Sequence, residues 1–106
     1  MSDSLILFYI TIPNEKTGQE IANNLLNKKL IACANIFPTH TSIYSWDGEI
    51  KNEKEQVMIL KTLSEKALAT EAEIKSLHPY ECPCIVQIKA ETANEDFLNW
   101  VSKQTP

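Results

Sequence analysis

The chain contains no arginine: its ten cations are all lysine, set against fourteen carboxylates for a net charge of −4 over 106 residues. Bidentate reading of phosphate or guanine leans on the guanidinium fork, so a nucleic-acid partner is disfavoured by residue type and by charge. The lysines are scattered, the pattern of a solvated surface rather than a binding stripe. Glycine is almost missing too. Gly18 and Gly48 are the two it has, and they leave no Gly-rich loop to cradle a phosphate. No run approaches the roughly 18 apolar residues that cross a bilayer, so no membrane partner is expected. Leu5 to Ile10, with no lysine before it, is short for a signal peptide. Three cysteines make an odd count, and Cys82 and Cys84 stand too close in an extended chain for an ordinary bridge. A disulfide framework is therefore not expected, which points to a reducing, cytoplasmic setting. The length allows one domain, residues 1–106, around one core.

What the chain does have is a long hairpin from Ala32 to Thr62, centred on Trp46-Asp47-Gly48-Glu49. Asp-Gly between alternating segments is a strong hairpin signal, because both turn residues must tolerate positive φ. Counting outward, Trp46 faces Glu49, Tyr44 faces Lys51, Ile36 faces Ile59 and Asn35 faces Leu60. Each arm would reach about 45 Å, where a usual strand spans about 17–20 Å. One small domain cannot cover that length. A second copy of the chain is the simplest shelter for the tip.

The remaining segments fill in a fold. Leu5–Ile12 is apolar on both alternating faces and reads as a central strand, stopped by Pro13. Asn14 is placed to cap a helix whose inner residues are Ile21, Ala22, Leu25 and Leu26. Pro38 implies a bulge or an edge within the hairpin. Ser64 is the expected cap of a second helix, with Leu63, Ala67, Ile74 and Leu77 inward, and Pro79 ends it. The last strand places Cys84, Val86, Ile88 and Ala90 inward, and Pro83 makes it an edge strand. A terminal helix follows, carrying Phe97, Trp100 and Val101. The order β-α-β-β-α-β plus a C-terminal helix predicts an α+β fold, a ferredoxin-like split βαβ sandwich with both long helices on one face. Its other face stays apolar and uncovered, beyond what a soluble monomer usually exposes. Self-association follows.

Few residues invite chemistry. His78, Cys82 and Cys84 offer imidazole and thiolate, which suit copper, zinc and similar ions. The spacing is not that of a closed zinc site, and the plainer reading is preferred: the cysteines pack as small hydrophobes and His78 bonds a nearby carbonyl. Cys33 reads as core, with thiol chemistry at Cys33 or Cys82 as a further hypothesis. The Glu53 and Glu55 pair reads as a solvated edge. Nothing assembles a base, a nucleophile and oxyanion donors, so no catalytic residue is assigned and an enzyme is not expected. Tyr44, Trp46, Glu55, Lys61 and Tyr80 are the candidates to line a cleft between subunits, although aromatics at an interface need no ligand.

Several blocks of sequence resemble the CutA family of divalent-cation tolerance proteins. They are Cys33-Ala34-Asn35-Ile36, Pro38, Thr41-Ser42-Ile43-Tyr44, Trp46, Gly48, Ile50 and Lys61-Thr62. His78-Pro79-Tyr80, Pro83, Ile85 and Leu98-Asn99-Trp100 continue the match to the end of the chain. The resemblance implies a ferredoxin-like subunit in a homotrimer similar to PII signalling proteins, and binding of Cu²⁺ or another divalent ion in a response to metal. The positions of the copper site proposed for bacterial members fall here on Ile10, Leu77 and His78, of which one is a ligand type. The alternative is a PII-like regulatory or scaffolding trimer that binds a small molecule or protein in its inter-subunit clefts, without a metal function.

Overall fold

A computed structural model describes residues 4–106. Strand β1 (Leu5–Ile12) sends its even-numbered side chains to one face, where Phe8, Ile10 and Ile12 are fully buried. Helix α1 (Glu15–Asn27) starts where Asn14 Oδ1 accepts the Thr17 N–H at 2.8 Å, satisfying one of the free donors of the first turn. It lays Ile21, Ala22 and Leu25 on that face, while Leu26 turns outward. The helix ends with Lys29 in the left-handed region (φ 61°), the Leu30 N–H reaching back to Leu25 O at 3.0 Å. That is the Schellman arrangement, held here without glycine.

The hairpin comes as three strands. These are β2 (Cys33–Ile36), β3 (His40–Trp46) and the 15-residue β4 (Glu49–Leu63). Asp47 and Gly48 both take positive φ (50° and 79°), the turn that the twist of the arms requires. From Trp46↔Glu49 to His40↔Glu55 the pairing is as the sequence predicts. Beyond Pro38 it slips by one: Ile36 faces Met58 and Asn35 faces Ile59, not Ile59 and Leu60. Five residues on one arm, His40 to Ile36, oppose four on the other, Glu55 to Met58. The extra residue is a bulge around Pro38, which has no N–H for the ladder.

A 3₁₀ turn (Ser64–Lys66) precedes α2 (Ala67–Leu77), so Ser64 opens that turn rather than capping the α-helix. Ala67 and Ile74 face inward as expected, and Leu77 is exposed. Strand β5 (Ile85–Lys89) and helix α3 (Glu95–Gln104) complete the chain. The antiparallel sheet runs β2-β4-β1-β5, with β3 on the free half of β4. The two most apolar strands are central and β5 is an edge, as read from the sequence. This is the ferredoxin-like α+β fold.

Helices α1 and α2 cover one face. Their core joins Ile6, Phe8, Ile10 and Ile12 with Ile21, Leu25, Met58, Leu60 and Ile74. On the opposite face α3 covers one end, where Val101 and Phe97 pack on Leu5, Leu7 and Leu63. The rest of that face is open. Val86 lies opposite Tyr9 and Ile88 opposite Leu7, so these two point to the open side and stay exposed, the reverse of their expected direction. Ile85, opposite Ile10, is the residue that joins the helix-covered core.

Candidate ligand cleft

The cleft is built from the alternation of the hairpin. Opposed residues in an antiparallel pair share a face, so Ser42, Tyr44 and Trp46 stand with Glu53, Lys51 and Glu49. Glu55, next in phase, is where the arm enters the body of the fold. Against this face lies the segment after α2, residues 79–84. Between them is a cleft of about 750 Å³ lined by Tyr44, Trp46, Tyr80, Lys51, Glu53, Glu55, Glu81, Cys82 and Cys84, together with Thr11 and Ser42. Of the five cleft residues named from the sequence, Tyr44, Trp46, Glu55 and Tyr80 come together here. Lys61 does not. It stands opposite Leu7 and Cys33, its Nζ 5.7 Å from the centroid of the Phe97 ring on α3.

Each phenol is tied to a carboxylate. Tyr80 donates its O–H to Glu55 Oε2 at 2.6 Å, and Tyr44 donates to Glu53 Oε1 at 2.9 Å. Burial, then the hydrogen bond and negative charge of Glu55, push the Tyr80 phenol well above its ordinary value. The Tyr44 phenol is raised in the same direction, chiefly by its hydrogen bond to Glu53. Glu55 is only 9% exposed, so its reading as part of a solvated edge is corrected: Tyr80, from the 79–84 segment, lies against it and bonds it. Glu53, Glu81 and Lys51 also line the cleft, and sequence reasoning left them out. The hairpin register already placed Glu53 and Lys51 beside Tyr44. Glu81 carried no such signal.

His78 stands behind this wall. Buried at the end of α2, its Nε2 meets Thr11 O at 2.8 Å, and its Nδ1 accepts the Tyr80 N–H at 3.2 Å. Those partners assign the tautomer: a carbonyl needs a donor, so Nε2 carries the proton and the lone pair of Nδ1 is taken. The ring packs on Tyr80 with centroids 4.7 Å apart. His78 thus positions Tyr80, which in turn positions Glu55. Cys82, exposed, lines the cleft, and burial raises the Cys84 thiol. Burial likewise raises Cys33, partly offset by Lys61. Neither Cys33 nor Cys84 has the depressed value that marks a reactive thiol. Among the described residues, no three His, Cys, Asp or Glu side chains converge to hold a metal ion. A ligand set of His78, Cys82 and Cys84 does not fit, because both imidazole nitrogens are already engaged. Among the described residues, no helix is long and apolar enough to cross a membrane.

A small ferredoxin-like protein with an overlong hairpin and an aromatic, acidic cleft along it is the class that fold and site define. A family model described as CutA1 divalent ion tolerance protein matches residues 6–104. The chain belongs to that family. It is 43% identical over 97 residues to the divalent-cation tolerance protein CutA of Thermotoga maritima, covering 92% of this chain and 95% of that one. Protein CutA of Mus musculus is 39% identical over 97 residues, and there the chain spans 55% of the relative's length. The crystal structure of CutA1 from Ehrlichia chaffeensis superposes with a TM-score of 0.95 at 40% identity, covering 100% of this chain and 99% of that one. The CutA structure from Archaeoglobus fulgidus, described as a periplasmic divalent cation tolerance protein, superposes with a TM-score of 0.92 at 39% identity, covering 96% of this chain and 99% of that one.

Proposed function

We propose that the chain serves divalent-cation tolerance as a cytoplasmic homotrimer, without a resident metal centre, and that the cleft along the hairpin is its ligand site at the joint between copies. The observation that carries the assembly is the open sheet face. Tyr9, Val57 and Ile59 are half-buried there, and Val86 and Ile88 are exposed. Burying four or five such side chains per copy, at about 1.5–3 kcal/mol each, is of the size of the association cost of about 4–15 kcal/mol. The number three comes from the family resemblance, and a closed ring of that kind uses head-to-tail contacts. Three unbridged cysteines support a reducing compartment. Copper or another divalent ion is, on this reading, held weakly and in passing. A PII-like regulatory or scaffolding trimer that works without any metal is the alternative.

Sedimentation velocity on the purified chain tests the assembly. A species of three times the 12.0 kDa chain mass is expected at micromolar concentration, and a stable single chain overturns the proposal. Titration with copper and zinc separates the two functional readings: weak, reversible binding fits metal tolerance, and no binding at all leaves the regulatory trimer.

A further inference from the structure

We propose that the cleft takes an organic cation, an aliphatic amine carrying one or more ammonium groups, held on Glu55 and against the rings of Tyr44 and Tyr80. The proposal rests on the cleft being the ligand site and names the class of that ligand. Glu55 carries the argument. It is 9% exposed, it lines the cleft, and its partner among the described residues is the uncharged Tyr80 hydroxyl. A buried carboxylate is normally paired with a cation. None is paired with this one among the described residues. A carboxylate has about four acceptor positions, so one phenol leaves most of them for a guest.

The rest of the lining is acidic on balance. Glu53 and Glu81 add two carboxylates. Lys51, the cation among the lining residues, points its Nζ to Glu49 at 3.3 Å instead. The Tyr80 and Tyr44 rings, each tied through its hydroxyl to one of these carboxylates, favour a cation that carries carbon, since an ammonium over an aromatic ring is attracted by its quadrupole. A hard metal ion would need six or more oxygen donors converging on one point, and no such group forms among the described residues. The volume of about 750 Å³ is that of a small-molecule site, far larger than a bare ion fills. The two phenols hold the carboxylates in place before the guest arrives.

Three four-carbon probes of different charge test the class: butane-1,4-diamine, butane-1,4-diol and butanedioate, titrated at physiological salt. Trp46 lines the cleft and reports occupancy by fluorescence, with calorimetry as the second readout. Saturable binding of the diamine alone is expected, weakened at least tenfold in Glu55→Gln and unchanged in Glu20→Gln on the outer side of α1. The amide oxygen of glutamine still accepts from Tyr80, so the fold is kept while the charge is lost. Equal binding of the diol or the dianion, or a diamine affinity indifferent to Glu55→Gln, overturns the proposal. Sedimentation of the same samples keeps the two ideas apart. An intact assembly that ignores the diamine sinks the ligand class and leaves the trimer standing. Single chains that bind the diamine sink the trimer and support the ligand class.

Discussion

Gly18 lies inside α1 and forgoes about 1 kcal/mol of helix propensity relative to alanine. The cause is across the helix–sheet packing. A Cβ at this position would collide with Ile12 Cδ1 and lie 3.2 Å from Ile36 Cδ1, so the ends of two isoleucines, one of them fully buried, would have to shift. Overpacking of this kind costs about 1–3 kcal/mol, so the clash outweighs the propensity gain. Gly18→Ala is expected to lose about 1 kcal/mol in urea unfolding. In an Ile12→Val background, which removes Cδ1, the same substitution should become neutral or favourable. A loss of equal size in both backgrounds contradicts the packing account. The Tyr80 phenol makes a second residue-scale claim. Its value is raised from 10.0 in the fold, so the neutral form is the one the fold favours. The sign follows: this stability is present in full below pH 10.0 and drains away as pH climbs from there toward the folded value. Tyr80→Phe should therefore show a shallower loss of stability between pH 10 and 11 than the parent. Identical alkaline slopes in the urea midpoint would remove Tyr80 from this account.

At the scale of elements, the hairpin and the central strands were legible because they depend on local rules. Asp47-Gly48 set the turn, the apolar run of β1 set a central strand, and Pro83 set an edge. The one-residue slip beyond Pro38 was only half legible. The proline announced a bulge, but which residues it would offset depends on where β4 finds its partners in the core, Met58 and Leu60 against α1 and α2. The phase of β5 failed for a related reason. Val86 and Ile88 look like core by hydrophobicity, and a single chain cannot tell which of two sheet faces its helices cover. In the cleft, alternation located Tyr44 and Trp46, while the burial of Glu55 depends on the 79–84 segment folding back over it. Residue type had offered His78 as a ligand, and its hydrogen bonds give it a structural task instead. His78→Ala should cost about 1–3 kcal/mol through two lost hydrogen bonds, and it should loosen Tyr80. Copper and zinc titrations of the parent and the variant should be indistinguishable. Tight, stoichiometric binding that disappears with the imidazole would restore His78 as a ligand.

The whole molecule is longer than its residue count requires. Its axes span 47 × 27 × 23 Å with a radius of gyration of 14.5 Å, where a compact domain of this length has about 13 Å. The excess is the outer half of β3 and β4, which stands clear of the body with Ile43, Tyr44, Trp46 and Ile50 exposed. The same copy leaves β5 and the middle of its sheet uncovered, so the projection and the bare face are two halves of one need. Ile88→Lys tests it at the level where it operates. In a lone chain Ile88 is already 44% exposed at a sheet edge, and surface substitutions there usually change stability by no more than about 0.5 kcal/mol. In an assembly the ammonium would enter an apolar contact without a partner, a cost of several kcal/mol by usual desolvation magnitudes. The two cases separate cleanly. Sedimentation should show the Ile88→Lys chain at the single-chain mass at concentrations where the parent is assembled, with its circular dichroism unchanged. Parent and variant sedimenting alike would mean that this face meets solvent in the working protein, and the hairpin would then have no neighbour to lean on.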